Sequence, residues 1–245
     1  MNTNLSLEKC LAFVNCQLQP PRRGSGGNGH KRKLAVTLSR QAGCGAGAIA
    51  EKLAQRLQER GAGNGAPWTV FDRNLVEQVL EDHSLPKRLA KFMPEDRISE
   101  IEDTIDDLFG LHPPSWMLVR DTAETILRLA ELGNVILIGR GANVITRGLE
   151  HVFHVRLVAP LENRLESMQQ SRHMSKKEAL AFIQTEDKGR RRYLKKYFHK
   201  NIDDPLLYHL VINTGLMPQD QAASLICGAV LSLQSSHALA RLKAA

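Results

Sequence analysis

The sequence predicts an α/β protein built on a five-stranded parallel sheet with helices on both faces. Three observations lead there. Five short apolar runs, at 34–38 (LAVTL), 68–71 (WTVF), 135–138 (VILI), 152–158 (VFHVRLV) and 210–212 (LVI), have the length and composition of buried strands. Between successive runs lie amphipathic stretches suited to crossover helices. A glycine-rich turn leads the first run into the helix after it, in LAVTLSRQAGCGAGAIA at 34–50.

Residues 5–18 (LSLEKCLAFVNCQL) carry apolar residues at helical spacing, since Leu7, Leu11, Val14 and Leu18 can share a face. The following PPRRGSGGNGHKRK breaks that pattern and reads as a flexible basic linker, so 1–33 is an appendage to a main domain over 34–233. Helices are expected at 49–60, 116–132, 161–170 and 176–198, with a closing helix at 219–233 behind Pro218 and a tail over 234–245. The longest insertion, 73–133, holds the acidic segment EDRISEIEDTIDD and then FGLHPPSW, whose paired prolines preclude a continuous helix. A second helical excursion, 170–205, separates the last two strands. Ligands of parallel sheets sit at the carboxyl ends of the strands, where two such excursions can close over them.

The chain has 245 residues, 42% hydrophobic and 24% charged, which suits one sizeable domain. No apolar run approaches a membrane span and the first residues lack the pattern of a signal peptide, so a cytoplasmic protein is expected. Cys10, Cys16, Cys44 and Cys227 form no C-x-x-C pair and read as free thiols. The net charge of +7 points to polyanionic partners such as nucleotides, but it is regional: basic at 22–33 and 188–200, acidic at 95–107.

The turn at 39–48 stands where a phosphate-binding loop would. Aligned on G-x-x-x-x-G-K-[ST] through Gly45, the Lys falls on Ala46 and the hydroxyl residue on Gly47. What remains is backbone: Gly43, Cys44, Gly45, Ala46 and Gly47 can turn amide N–H groups toward an anion at a helix N-terminus. Arg40, at the strand end, is within reach of a phosphate held there. The alternative is a tight turn with no ligand, and the loop alone leaves both open.

SRQAGCGAGAIA resembles the S-R-E-x-G-S-G-G-R-x-I-A wording of the cytidylate kinase-like family, which itself commonly lacks the loop Lys. VFDRNLVEQV (70–79), LAELGNVILIGRGANVI (129–145), APLENRL (159–165), EDKGRRRY (186–193) and YHLVINTG (208–215) resemble further segments of that family in the same order. The resemblance covers about 34 to 230. It implies a P-loop NTPase-type three-layer sandwich with a helical acceptor-side insertion and a helical lid. It also implies transfer of a phosphoryl group from ATP, with Mg2+, to a small phosphate acceptor such as CMP or dCMP.

Phosphoryl transfer needs positive charge and alignment. The resemblance assigns the lid charges to Lys188 and Arg190, beside Arg40. Arg164 would steady the nucleotide's base or phosphates, Asp187 would orient the lid arginines, and Asn213 and Thr214 would border the adenine. Asp72 and Arg140, each just past a strand, would place the acceptor together with Asn143. Two other functions stay open. One is a nucleotide-binding regulatory protein of the same fold without turnover. The other is a nucleic-acid-binding module using the basic segments, disfavoured by an aromatic content of only 5%.

Overall fold

The computed structural model describes Phe13 and residues 33–62, 67–72, 95–109 and 116–244, without the side chains of 95–97 and 234–244. The expected N-terminal helix (apart from Phe13), the basic linker up to residue 32, residues 73–94 of the long insertion and the paired prolines lie outside the described residues. Phe13 is fully buried and meets the Phe71 ring edge-on, with centroids 5.7 Å apart.

The expected strands are β1 (Ala35–Arg40), β2 (Thr69–Phe71), β3 (Val135–Ile138), β4 (Val152–Val158) and β5 (Leu210–Asn213). All pair in parallel in the order β2-β3-β1-β4-β5. The central strands are buried on both sides, which is why they read as continuous apolar runs rather than alternating ones. Because β1 lies between β3 and β4, the carboxyl end of β1 opens at the point where the connections diverge.

Helices α1 (Ala46–Glu59), α2 (Glu95–Phe109), α3 (Met117–Leu132), the single turn α4 (Ala142–Ile145), α5 (Leu161–Arg172), α6 (Lys176–Phe198) and α7 (Gln219–Ala244) complete the layers. α1 begins three residues before the expected start, directly out of the glycine turn. α7, expected to end at 233, runs on to Ala244. The acidic segment is α2: Ile101, Ile105 and Phe109 recur every four residues on its buried face, while Glu102, Asp103, Asp106 and Asp107 are exposed. One core layer packs α1 and α7 on Val36, Leu38 and Ile136. The other packs α2, α3 and the end of α6 on Ala35, Val135 and Leu137.

The lid helix α6 is started by a capping box, with Ser175 Oγ accepting from Glu178 N and the Glu178 carboxylate accepting from Ser175 N. On β4, His154 is 5% exposed and its Nδ1 lies 2.9 Å from Thr37 Oγ1. Burial, reinforced by His209 and Arg147, pushes its pKa down to about 3. The unfolded chain therefore takes up a proton near pH 6.5 that the folded chain refuses until about pH 3, so the contribution is present above pH 6.5 and lost on acidification. Stability should fall between those limits, by up to about 1.4 kcal/mol per pH unit from this group. Denaturant melts of the wild type and His154→Asn across pH 7 to 4 check it, the variant showing the shallower slope.

Candidate active site

Two strand ends and the lid helix enclose a cavity of about 360 Å³. Its walls are Ser39 and Arg40 from β1, Gly139, Arg140, Gly141 and Asn143 after β3, Thr185, Glu186, Gly189, Arg190, Tyr193 and Leu194 from α6, and Ile202. The turn after β3 has positive φ at three successive residues: Gly139 (85°), Arg140 (52°) and Gly141 (73°). A non-glycine residue held there is sterically unfavourable, so the tertiary structure must maintain it. This turn sets the Arg140 guanidinium 5.9 Å from the Tyr193 ring centre.

Arg40, Arg140 and Arg190 thus face one space. Burial and the charge of Arg190 lower the Arg40 pKa to about 10, with a smaller lowering from Arg140 and opposing support from Glu186 and Asp72. Arg40 stays protonated at neutral pH, but its charge is poorly solvated and lies beside like charges. An anion entering the cavity relieves both penalties. Arg190 Nη2 lies 2.8 Å from Glu186 and its Nη1 3.2 Å from Asp187. Burial raises the Tyr193 hydroxyl pKa to about 12 despite the nearby Arg140 charge, keeping it a neutral donor at the cavity wall.

On the β4 side of β1 lies the glycine turn. Gly45 is the N-cap of α1, left-handed at φ 70°, with no capping side chain, so the first-turn amides are left to meet an external acceptor. The turn is also tightly covered. A Cβ on Gly43 would come within 2.8 Å of the Arg164 carbonyl oxygen, and one on Gly45 would overlap the Gln219 side-chain amide. Asp187 joins the two sides of β1. Its Oδ1 accepts from Ala42 N (2.8 Å) and Arg190, and its Oδ2 from Arg164 Nη1 (2.6 Å).

A sequence model of the cytidylate kinase-like family matches residues 35–216. The chain belongs to the cytidylate kinase-like family. It is 28% identical over 174 residues, 68% of this chain and 88% of the relative, to a cytidylate kinase of Methanopyrus kandleri. It also has the fold of an uncharacterized protein from Eubacterium ventriosum whose crystal structure is known. That similarity covers 82% of this chain and 99% of the other, at a TM-score of 0.56 and 18% identity.

Of the residues expected at the site, this cytidylate kinase-like chain brings Arg40, Arg140, Asn143 and Arg190 into the cavity. Asp72 is exposed at the end of β2, near enough to support the Arg40 charge. Gly43 to Gly47, Arg164, Asn213 and Thr214 lie outside the cavity lining. Arg164 is committed to Asp187, Asn213 Oδ1 accepts from Gly215 N, and Thr214 N bonds to the Val158 carbonyl. Burial raises the Cys44 pKa, leaving a neutral thiol in the loop.

Lys188, expected beside Arg190, lies outside the cavity lining. It is exposed, because the helical period turns 185, 186, 189, 190, 193 and 194 inward and 188 outward. Ser39, Thr185, Glu186 and Tyr193 were missed as site residues. Glu186 and Tyr193 lie one turn either side of Arg190, and Thr185 one residue further, a signal that becomes usable once Arg190 is known to point inward.

Proposed function

We propose that the protein transfers the terminal phosphoryl group of ATP to a small phosphate monoester, CMP or dCMP being the acceptors suggested by its family. The observation that carries this is the charge of the cavity. Among the residues that line it, three guanidinium groups stand against one carboxylate, Glu186, with Asp187 and Asp72 nearby, so positive charge predominates around a space sized for a nucleotide. That suits a phosphate monoester. Arg40, Arg140 and Arg190 would hold the acceptor phosphate at the end of β1, while the amides opening α1 would receive the donor's phosphates. An acceptor phosphate oxygen would bond to the γ-phosphorus as the bond from that phosphorus to the ADP oxygen breaks. Arg190, flanked by Glu186 and Asp187, stands at the seam between the two halves and would stabilise the charge in transit.

Among the described residues, no magnesium site made by protein side chains alone is present. Positions 46–48 are Ala, Gly and Ala, and among the described residues no cluster of three His, Cys, Asp or Glu side chains suits a metal. Mg2+ is proposed only as the counter-ion that ATP brings with it, and no step is assigned to it.

A second reading, nucleotide binding without turnover, is favoured by the same bare loop and by Asp187 already accepting the Ala42 amide. Incubation with Mg-ATP and each common nucleoside monophosphate, followed by chromatography, separates the two. ADP appearing with one matching diphosphate supports transfer, and Arg190→Ala should then lower kcat by about tenfold to a hundredfold. Saturable nucleotide binding with no diphosphate from any acceptor would overturn the kinase reading in favour of the second.

A further inference from the structure

We propose that Asp203 is a positioning residue that fixes the rotation of α6 and so presents Arg190 to the substrate anion. This rests on the phosphate-binding reading of the cavity. Arg156, on β4, is 4% exposed, and its charge needs a partner. Its Nη2 donates to Asp203 Oδ1 at 2.9 Å and its Nη1 to Ser39 Oγ, also at 2.9 Å. The second oxygen of the same carboxylate accepts from Arg191 Nε at 3.0 Å. Asp203 therefore ties the sheet, one residue before the end of the cavity-lining strand β1, to the lid helix.

Arg190 and Arg191 are neighbours on a helix, about 100° apart around its axis, so anchoring one sets the direction of the other. The ion pairs of Arg190 itself run to Glu186 and Asp187 of its own helix and cannot fix that helix against the sheet. Asp187, through Ala42 and Arg164, pins one side of Arg190, and Arg191, through Asp203 and Arg156, pins the other. The two anchors are one turn apart with Arg190 between them. Arg156, Asp187, Arg190 and Arg191 border one hollow of about 10 Å³ beside Arg40, too small for a substrate, so their ordering serves the structure around the cavity rather than a ligand there. The same segment is tied down a second time, by the Tyr208 hydroxyl 2.8 Å from the Ile202 carbonyl and 3.2 Å from Ser39 Oγ.

The test is calorimetric titration of CMP and of inorganic phosphate into the wild type, Arg190→Ala, Arg191→Ala, Arg191→Lys and Asp203→Asn, with melting temperatures recorded alongside. Arg191→Ala removes only the half-exposed lid arm and leaves the Arg156–Asp203 pair intact. It should weaken both probes about tenfold with the melting temperature within about 2 °C of wild type, and Arg191→Lys should recover part of the affinity. Asp203→Asn should weaken binding at least as much and also lower the melting temperature, because Arg156 loses its charge partner. Wild-type affinity in Arg191→Ala, with Arg190→Ala impaired, overturns the positioning role and leaves the phosphate-binding reading standing. Failure of the wild type to bind either probe overturns both.

Discussion

Replacing Arg40 by methionine should cost about a hundredfold in affinity for a phosphate monoester, from two charge-assisted hydrogen bonds of about 1.5 kcal/mol or more each. The fold should remain as stable as before, or become more so. The two effects have one origin. Arg40 is desolvated and faces Arg190 and Arg140, which lowers its pKa from the ordinary guanidinium value to about 10. A basic group that holds its proton less tightly when folded contributes stability only above its unfolded pKa. That contribution is lost as pH falls through about 10, so at neutral pH the charge works against folding. Methionine keeps much of the packing volume and removes that penalty together with the anion's partner. Titration with CMP and parallel thermal melts check both halves. A melting temperature well below wild type, or unchanged affinity, would contradict the account.

Gly139→Ala should weaken the same binding by about tenfold or more and destabilise the protein by about 1–2 kcal/mol, because an alanine at left-handed φ is strained. The residue has φ 85°, and a Cβ there would overlap Arg40 Nη1, with Arg40 Cζ only 3.0 Å away. The guanidinium is the far end of a flexible side chain, so it can swing aside at modest cost in stability. In doing so it leaves the place where the anion needs it. Gly148→Ala is the matched control. Nothing lies within 4 Å of the added carbon and the position is exposed, so affinity and melting temperature should stay at wild-type values. Titration and denaturant melts of both variants separate the displaced arginine from a general effect of added methyl groups.

Much of the fold was legible because its signals are local. VILI is apolar throughout and VFHVRLV is so apart from His154 and Arg156, because both faces of each strand are covered, and the chain between them holds a single turn of helix. Arg40 and Arg140 were legible for a related reason. Each ends or follows a strand of a parallel sheet, and strand ends are where such sheets bind ligands. The lid was harder. KGRRRY reads as a run of cations on a helix, and periodicity sorts them into faces without saying which face meets the sheet. The resemblance names Lys188 and Arg190 together, yet the two are two residues apart and point in different directions, and Arg190 alone of the pair lines the cavity.

The sequence by itself determined the parallel sheet, the glycine turn with its missing Lys and hydroxyl, and the strand-end arginines. All of these follow from residue type and near neighbours. Only the tertiary structure decided that Arg190 enters the cavity while Lys188 does not, that Asp187 takes donors from both sides of β1, and that Asp203 binds Arg156 and Arg191 together. The reason is the range of the interactions. Burial of apolar faces acts through a period of two or 3.6 residues that can be read along the chain. The rotation of a charged helix is set by partners such as Arg156 and Asp203, 47 residues apart and meeting only after the sheet has formed.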